Sequence, residues 1–327
     1  MRFALVSDIH ANLQAWNAVL LDIRSLKIDQ IICLGDIVGY GPNPAEVLQS
    51  VHQNVNHMVL GNHDAVICGK MDSTLFNPRA EQLILWTRQQ LSRNAVTFLR
   101  TLPLCLEDGF YKCTHGDFGV PGAFNYVIDP DDALPSWQSE PHPLLFVGHT
   151  HQPAIFLLGP SGQPRVVAPQ DFVIEPGKRF LVNVGSVGQP RDGQARASYC
   201  ILDIERQSVV WRQVPFDLDA YAAAMKQAGL ETESSPFLRH DPRAAVAPIR
   251  ETLTFSPPRS SDQRVKDTVE VRKIEQLSRT VRRWRLLAAA GLSILLAGMA
   301  LAGAWYWQVA HRSMVQGSGQ ARTIPAA

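Results

Sequence analysis

The sequence predicts an α/β fold over residues 1–230, followed by a linker and one apolar segment long enough to span a bilayer. Three observations predict it. Short β-rich runs alternate with amphipathic segments up to about residue 230. Five of those runs end directly in a cluster of Asp, Asn and His. Beyond them the chain turns rich in Pro, Ser, Thr and Arg, and then becomes uninterruptedly apolar.

Residues 3–6 read as a strand, and Leu13, Trp16, Leu20 and Ile23 then recur at helical spacing. Further strands are expected at 31–34, 57–60, 110–113 and 144–147. Helices are expected at 44–53 and 78–91, each opened by a proline that suits a first helical turn. Strands dominate from 154 to 214, at 154–158, 180–184, 199–204 and 208–214, before a last helix at 218–228.

With 46% apolar residues and 8% aromatics over its 327 residues, the bulk of the chain reads as a well-cored globular protein. The chain's 31 Lys and Arg nearly cancel its 30 Asp and Glu, so no global field marks it for nucleic acid or an acidic partner. Five cysteines, without CxxC or zinc-ribbon spacing, suit small core residues in a reducing compartment. An Asp soon after the first short apolar run argues against a signal peptide.

The chemistry-bearing clusters are Asp8-Ile9-His10, Gly35-Asp36, Gly61-Asn62-His63-Asp64, His115-Gly116-Asp117 and Gly148-His149-Thr150-His151. In an open α/β sheet, functional groups gather beyond the carboxyl ends of strands. Five strands therefore deliver candidate ligands to one rim. Each cluster alone is a weak signal; their repetition, each after an apolar run, is what points to a metal site. His52, His57, His142, His240 and His311 match no cluster and read as structural or exposed.

Asp8-x-His10, Gly35-Asp36, Gly61-Asn62-His63-Asp64, His115 and Gly148-His149-x-His151 together resemble the motif set of the calcineurin-like metallophosphoesterases. The resemblance covers residues 1–230 and implies a four-layer αββα sandwich, two sheets face to face with helices outside. It implies two divalent metal ions, Mn²⁺ ahead of Fe, Zn, Co or Ni. Asp8, His10, Asp36 and His151 would hold one ion, and Asp36 would bridge to a second held by Asn62, His115 and His149. Two such ions clamp a phosphoryl group and make a shared water acidic enough to supply the attacking hydroxide. Within the same resemblance His63 is the acid for the leaving oxygen, oriented by Asp64.

The strings at 35–44 and 185–193 resemble a compact bacterial phosphodiesterase branch of that family. That branch reads DIHGN where this chain has Ala11, and NPGSVGQPR where it has Val184. Gly39 stands where purple acid phosphatases carry a tyrosine, and the 35–40 string lacks the arginine of the Ser/Thr protein phosphatases. A phosphodiester or a small phosphorylated molecule is the expected substrate. Arg191 reads as a surface arginine, with contact to a substrate phosphate as the second reading. The competing function is a non-catalytic metal-binding membrane adaptor, and His63, dispensable for binding metal, favours the enzyme.

Residues 231–285 form the expected linker, with Pro236, Pro242, Pro248, Pro257 and Pro258. Ile274, Leu277, Val281 and Trp284 suit either a short coiled-coil seam or a solvated juxtamembrane helix. A homo-oligomer is compatible with the first. Residues 286–309 carry no charge, and roughly 20 apolar residues span a hydrocarbon core. Arg279, Arg282, Arg283 and Arg285 precede the span, while Arg312 and Arg322 follow it. The positive-inside rule therefore predicts a single-pass membrane protein with a cytoplasmic catalytic domain and a short exported tail at 310–327, set in a bacterial inner membrane.

Overall fold

The layers of the fold follow from the alternation in β1 (Arg2–Val6). Ala4 and Val6 point one way, into a core shared with Trp16, Val19, Leu20 and Ile23 of α1 (Leu13–Ser25). On the other side, the Phe3 ring meets Tyr111 of the second sheet, with centroids 5.5 Å apart. A strand with two apolar faces must be covered twice. The computed structural model describes residues 1–230. The linker, the juxtamembrane segment, the apolar span 286–309, the tail, His240 and His311 lie outside the described residues. Among the described residues no helix is long and apolar enough to cross a membrane.

After α1 the chain forms β2 (Gln30–Cys33), α2 (Pro44–Asn54), β3 (His57–Met58), α3 (Asn62–Ile67), α4 (Pro78–Gln90) and α5 (Arg93–Thr101). It continues through β4 (Cys105–Glu107), β5 (Tyr111–Thr114), α6 (Leu134–Ser139), β6 (Leu144–Val147), β7 (Ala154–Leu158) and β8 (Pro164–Val167). Last come β9 (Phe172–Val173), β10 (Arg179–Asn183), β11 (Arg196–Asp203), β12 (Ser208–Pro215) and α7 (Leu218–Gln227). One sheet runs β3-β2-β1-β11-β12-β9 and the other β4-β5-β6-β10-β7-β8. β1, β2 and β3 are mutually parallel, as are β5, β6 and β10. The first sheet's outer face is covered by α1 and α2. On the second, Trp137 of α6 packs on Leu145 and Val147.

Local chemistry sets the helix starts. Asn12 caps α1 by accepting from the Ala15 N–H at 3.0 Å, and Pro44 and Pro78 open α2 and α4 as expected. Three helices and three strands are additional to the sequence expectation. α5 is opened by Ser92, whose hydroxyl accepts from Ala95 N at 3.2 Å. α6 and the short strands β4, β8 and β9 carry too few residues for periodicity to show. The expected strand at 57–60 shortens to two residues because the Leu60 N–H leaves the sheet for the Pro103 carbonyl at 2.8 Å. The chain then turns at once into α3, so the Asn62-His63-Asp64 cluster is helical.

One buried-to-surface network ties α1 to the first sheet. Asp22 accepts from Tyr199 Oη at 2.7 Å and from Arg212 Nε at 3.1 Å and Nη2 at 2.6 Å. Burial would raise the Asp22 carboxyl, but the bonds from Arg212 and Tyr199 outweigh it and hold it below its usual range. Asp22→Ala should cost about 1–3 kcal/mol, because the buried Tyr199 hydroxyl loses its acceptor. The half-exposed Arg212 adds little to that figure. A depressed carboxyl stabilises the fold above its unfolded value of about 3.9 and loses that contribution as pH falls through its lower folded value. Thermal melts of the two proteins should therefore differ at pH 7, and the gap should narrow well below pH 4 to what the neutral Tyr199 bond alone supplies. A constant gap across that range would contradict the assignment.

Candidate metal centre

Five loops bring the candidate ligands together, and each leaves a strand at its carboxyl end. Asp8 and His10 follow β1, Asp36 follows β2 and Asn62 follows β3 in the first sheet. His115 follows β5, and His149 and His151 follow β6, in the second. Ligand atoms of Asp8, His10, Asp36 and His151 all lie within 4.8 Å of one another, and those of Asp36, His115 and His149 form a second such group. Asp36 belongs to both. Asn62 Oδ1 lies 3.1 Å from His115 Nε2, which attaches it to the second group.

The proton positions decide what the groups fit. His115 Nδ1 is 2.7 Å from the Leu34 carbonyl and His151 Nδ1 is 2.8 Å from the Gln189 carbonyl. A carbonyl only accepts, so both rings carry a proton on Nδ1 and aim Nε2 at the centre. There His151 Nε2 faces His10 Nε2 at 3.0 Å and Asp8 Oδ1 at 3.1 Å. His115 Nε2 faces Asp36 Oδ2 at 3.4 Å. Asp8 Oδ1 and Asp36 Oδ2 are buried without a hydrogen bond. Lone pairs converging in a buried space repel unless a cation lies between them, so this donor set fits divalent metal. Imidazole, carboxylate and carboxamide without thiolate suit Mn, Fe, Zn, Co or Ni.

The charges respond accordingly. Burial opposes ionisation of Asp8, but His151 and His115 outweigh it and hold the carboxyl well below its usual range. Asp36 is likewise lowered against burial, by His115 and His63. Burial pulls His115 down, yet the Asp36 and Asp8 carboxylates push it up to about 9, so without a cation this ring also holds a proton on Nε2, which a bound metal would displace. Burial dominates at His149 and His151, which fall to about 3 and about 4. These two imidazoles are neutral, as metal ligation demands.

Backbone strain is concentrated in the same loops. Asp8, His10, Asp36, His149 and His151 have φ of 54°, 47°, 52°, 69° and 60°, in the left-handed region. Each such residue costs of order 1–3 kcal/mol and persists where the surroundings over-determine it. Here the β1 and β2 loops are zipped by Asp8 N–Gly35 O, His10 N–Asp36 O and Ala11 N–Ile37 O bonds, all 3.0 Å. Ala11 also has φ 52°, where the family's bacterial branch carries glycine. At Val184 the backbone N–H reaches the Val147 carbonyl at 3.0 Å, a bond that the branch's proline lacks. Two glycines are required by close approach. A Cβ on Gly148 would strike Ser7 Oγ and Asp8 Oδ2, and one on Gly61 would strike Asp36.

His63 lies beside the centre with its ring 4.9 Å from that of His10, and its backbone N–H donates to Asp36 Oδ1 at 2.9 Å. Burial holds its imidazole well below the usual range, and its Nδ1 has no hydrogen-bond partner. The expectation that Asp64 orients this ring is corrected by the geometry. The Asp64 carboxylate instead accepts from the backbone N–H groups of Ile37 and Val38, both at 3.2 Å, and of Gly61 at 3.3 Å. At the first residue turn of α3 its shortest reach is backward, to the Asp36 loop. Burial and the Asp36 charge push its carboxyl up to about 7.

A pocket of about 340 Å³ opens over Asp36, Asn62, His63, His149 and His151. Tyr40, Phe76, Tyr126 and Arg191 also line it; the sequence offered a place there only for Arg191, as its second reading. Tyr126 stacks on His149 at 4.0 Å. Arg191 as a plain surface residue is therefore corrected. His52, against Phe98, and His142, 3.6 Å from Glu107 and Glu140, stay outside the site.

The sequence model of the calcineurin-like phosphoesterase superfamily domain matches residues 1–207. An uncharacterised protein of Methanocaldococcus jannaschii is 37% identical over 230 residues, 68% of this chain and 91% of that protein. The crystal structure of a metallophosphoesterase from Sphaerobacter thermophilus is 36% identical with a TM-score of 0.64, over 73% of this chain and 98% of that one. A symmetrical bis(5'-nucleosyl)-tetraphosphatase of Photorhabdus laumondii is 34% identical over 101 residues, 26% of this chain and 37% of that protein.

If Asp64 braces the Asp36 loop, Asp64→Ala should weaken metal binding about 10–100-fold, the usual effect of losing an outer-shell partner. Metal titration followed by calorimetry measures it. Unchanged metal affinity with a selective loss of turnover would instead return Asp64 to the His63 ring.

Proposed function

The chain belongs to the calcineurin-like phosphoesterase superfamily, and from that premise we propose that it is a metal-dependent phosphoesterase acting on a phosphodiester or a small phosphomonoester. The observation that carries this reading is the convergence of imidazole nitrogens and unpaired carboxylate oxygens on Asp36, shared by both groups. Two divalent ions bound there, with Mn²⁺ favoured by the resemblance, would polarise the phosphoryl group and acidify a water. Asp8, His10, Asp36 and His151 hold one side, and Asn62, His115 and His149 hold the other with Asp36 in common. His115 and His151 are kept in the ligating tautomer by the Leu34 and Gln189 carbonyls. His63 faces the pocket; burial keeps its imidazole neutral in the free protein, and an anionic phosphoester beside it would raise its pKa so that it protonates the leaving oxygen. Asp64 acts one step back, by holding the loop that carries Asp36. The partial likeness to a symmetrical tetraphosphatase supports phosphoester hydrolysis rather than that particular substrate, because it covers 26% of this chain.

Hydrolysis of bis-p-nitrophenyl phosphate with added Mn²⁺ tests the reading. Asp36→Asn should abolish both metal uptake and turnover, since it removes the charge common to both groups. His63→Ala should leave metal content near wild type and slow turnover by about 10²–10⁴-fold, less for good leaving groups. A fully metallated, active Asp36→Asn protein would refute the shared-ligand assignment. A metallated wild-type protein inert on every phosphoester would favour the adaptor.

The anchor is the second part of the proposal. The uncharged run 286–309 and the four arginines at 279, 282, 283 and 285 support a single membrane pass with the domain on the cytoplasmic side. The full-length protein should stay with membranes in alkaline carbonate and resist protease added to spheroplasts. Ala297→Arg, which costs about 2.5–3.5 kcal/mol at mid-span on insertion scales, should shift it toward the carbonate-soluble fraction. Extraction of the unaltered chain by carbonate would refute the anchor.

A further inference from the structure

Arg191 lies in the loop between β10 and β11, and its backbone N–H donates to the His151 carbonyl at 3.1 Å. Its half-buried side chain enters the pocket wall beside Asp36, Asn62, His63 and His149. Among the described residues no carboxylate forms an ion pair with it. Its partner is the Tyr40 hydroxyl, to which the guanidinium hydrogen-bonds. Tyr40 is itself placed with unusual care for a residue four positions past Asp36. It adopts φ 58°, and its ring is wedged against those of His63 at 4.5 Å and His10 at 4.8 Å. A tyrosine in the left-handed region is uncommon, and such outliers gather at functional sites. A guanidinium offers five donors in a planar fork, and one bond to a neutral phenol leaves most of them for an anion.

We propose that Arg191 is a substrate-binding residue that grips non-bridging oxygens of the phosphoryl group, and that Tyr40 is a positioning residue that aims its guanidinium over the metal centre. The inference rests on the phosphoesterase reading for its ligand, and inorganic phosphate serves as the probe for both. Two parallel N–H···O bonds from a planar fork suit the tetrahedral face of a phosphoryl group. The loop delivering Arg191 is the one that also supplies the Gln189 carbonyl to His151, so grip and metal ligation share one support.

The test uses the metal-loaded full-length protein and reads inorganic phosphate binding by calorimetry, phosphate inhibition of bis-p-nitrophenyl phosphate hydrolysis, and metal content. Arg191→Ala should weaken phosphate binding and raise KM by about 10–100-fold, as expected for losing charge-assisted hydrogen bonds, with metal content unchanged. Arg191→Lys should recover part of that loss, since it keeps the charge without the fork. Tyr40→Phe keeps the ring packing, so it should raise KM several-fold with kcat nearly constant, and add nothing in the Arg191→Ala background. Unchanged phosphate affinity in Arg191→Ala would overturn the proposal, and so would loss of metal, which would make Arg191 a support for His151. Phosphate binding that depends on Arg191 in a protein inert on all phosphoesters would uphold this inference while sinking the enzyme.

Discussion

The site depends on how closely the loop after β6 can approach the loop after β1. Those loops belong to different sheets, and at their meeting point Gly148 lies directly on Ser7 and Asp8 with no room for a Cβ. The same contact is sealed by the bond from His149 N to Asp8 Oδ2 at 3.0 Å. Behind it, Asn183 at the end of β10 donates to the Gly148 carbonyl at 2.6 Å and to Thr150 Oγ1 at 2.8 Å. A side chain at position 148 would part the two halves of the ligand set. Face-to-face packing of the sheets is thus a condition of the chemistry as well as of the core.

Strain and electrostatics are arranged around that contact in a consistent way. Left-handed residues carry the ligands, and interloop backbone bonds of 3.0 Å hold them there. Each ring whose Nδ1 meets a carbonyl is compelled to present Nε2 inward. The result is a buried space with excess lone pairs and two carboxylates held ionised against burial. Without a cation that arrangement is unfavourable; with one, the same groups become its coordination shell.

Around this centre, residues of ordinary type acquire specific tasks through position. Asp64 spends its carboxylate on three backbone N–H groups, so it shapes the Asp36 loop. Asn12 both caps α1 and donates to the Gly188 carbonyl at 2.9 Å, which links the first helix to the loop bearing Gln189 and Arg191. The aromatic rings of Tyr40 and Tyr126 pack directly on ligand imidazoles. A pocket walled in this way limits the freedom of the histidines.

The strands whose ends carry Asp8, Asp36, His115 and His149 were legible in the sequence, because alternation and apolar runs are local signals. So were the Pro-opened helices α2 and α4, and the seven candidate ligands, whose residue types recur after one run after another. The division of those ligands into two groups sharing Asp36 came from resemblance, and only the packed sheets bring their atoms within reach. The partners of Asp64 and Arg191 were decided by tertiary structure alone. A carboxylate's partners depend on which N–H groups the fold brings within 3.3 Å, and Arg191 meets Tyr40 across 150 intervening positions along the chain. Residues 286–309 stand at the opposite extreme: there the unbroken apolar sequence is the whole of the argument, because spanning a bilayer is a demand on length and polarity rather than on packing.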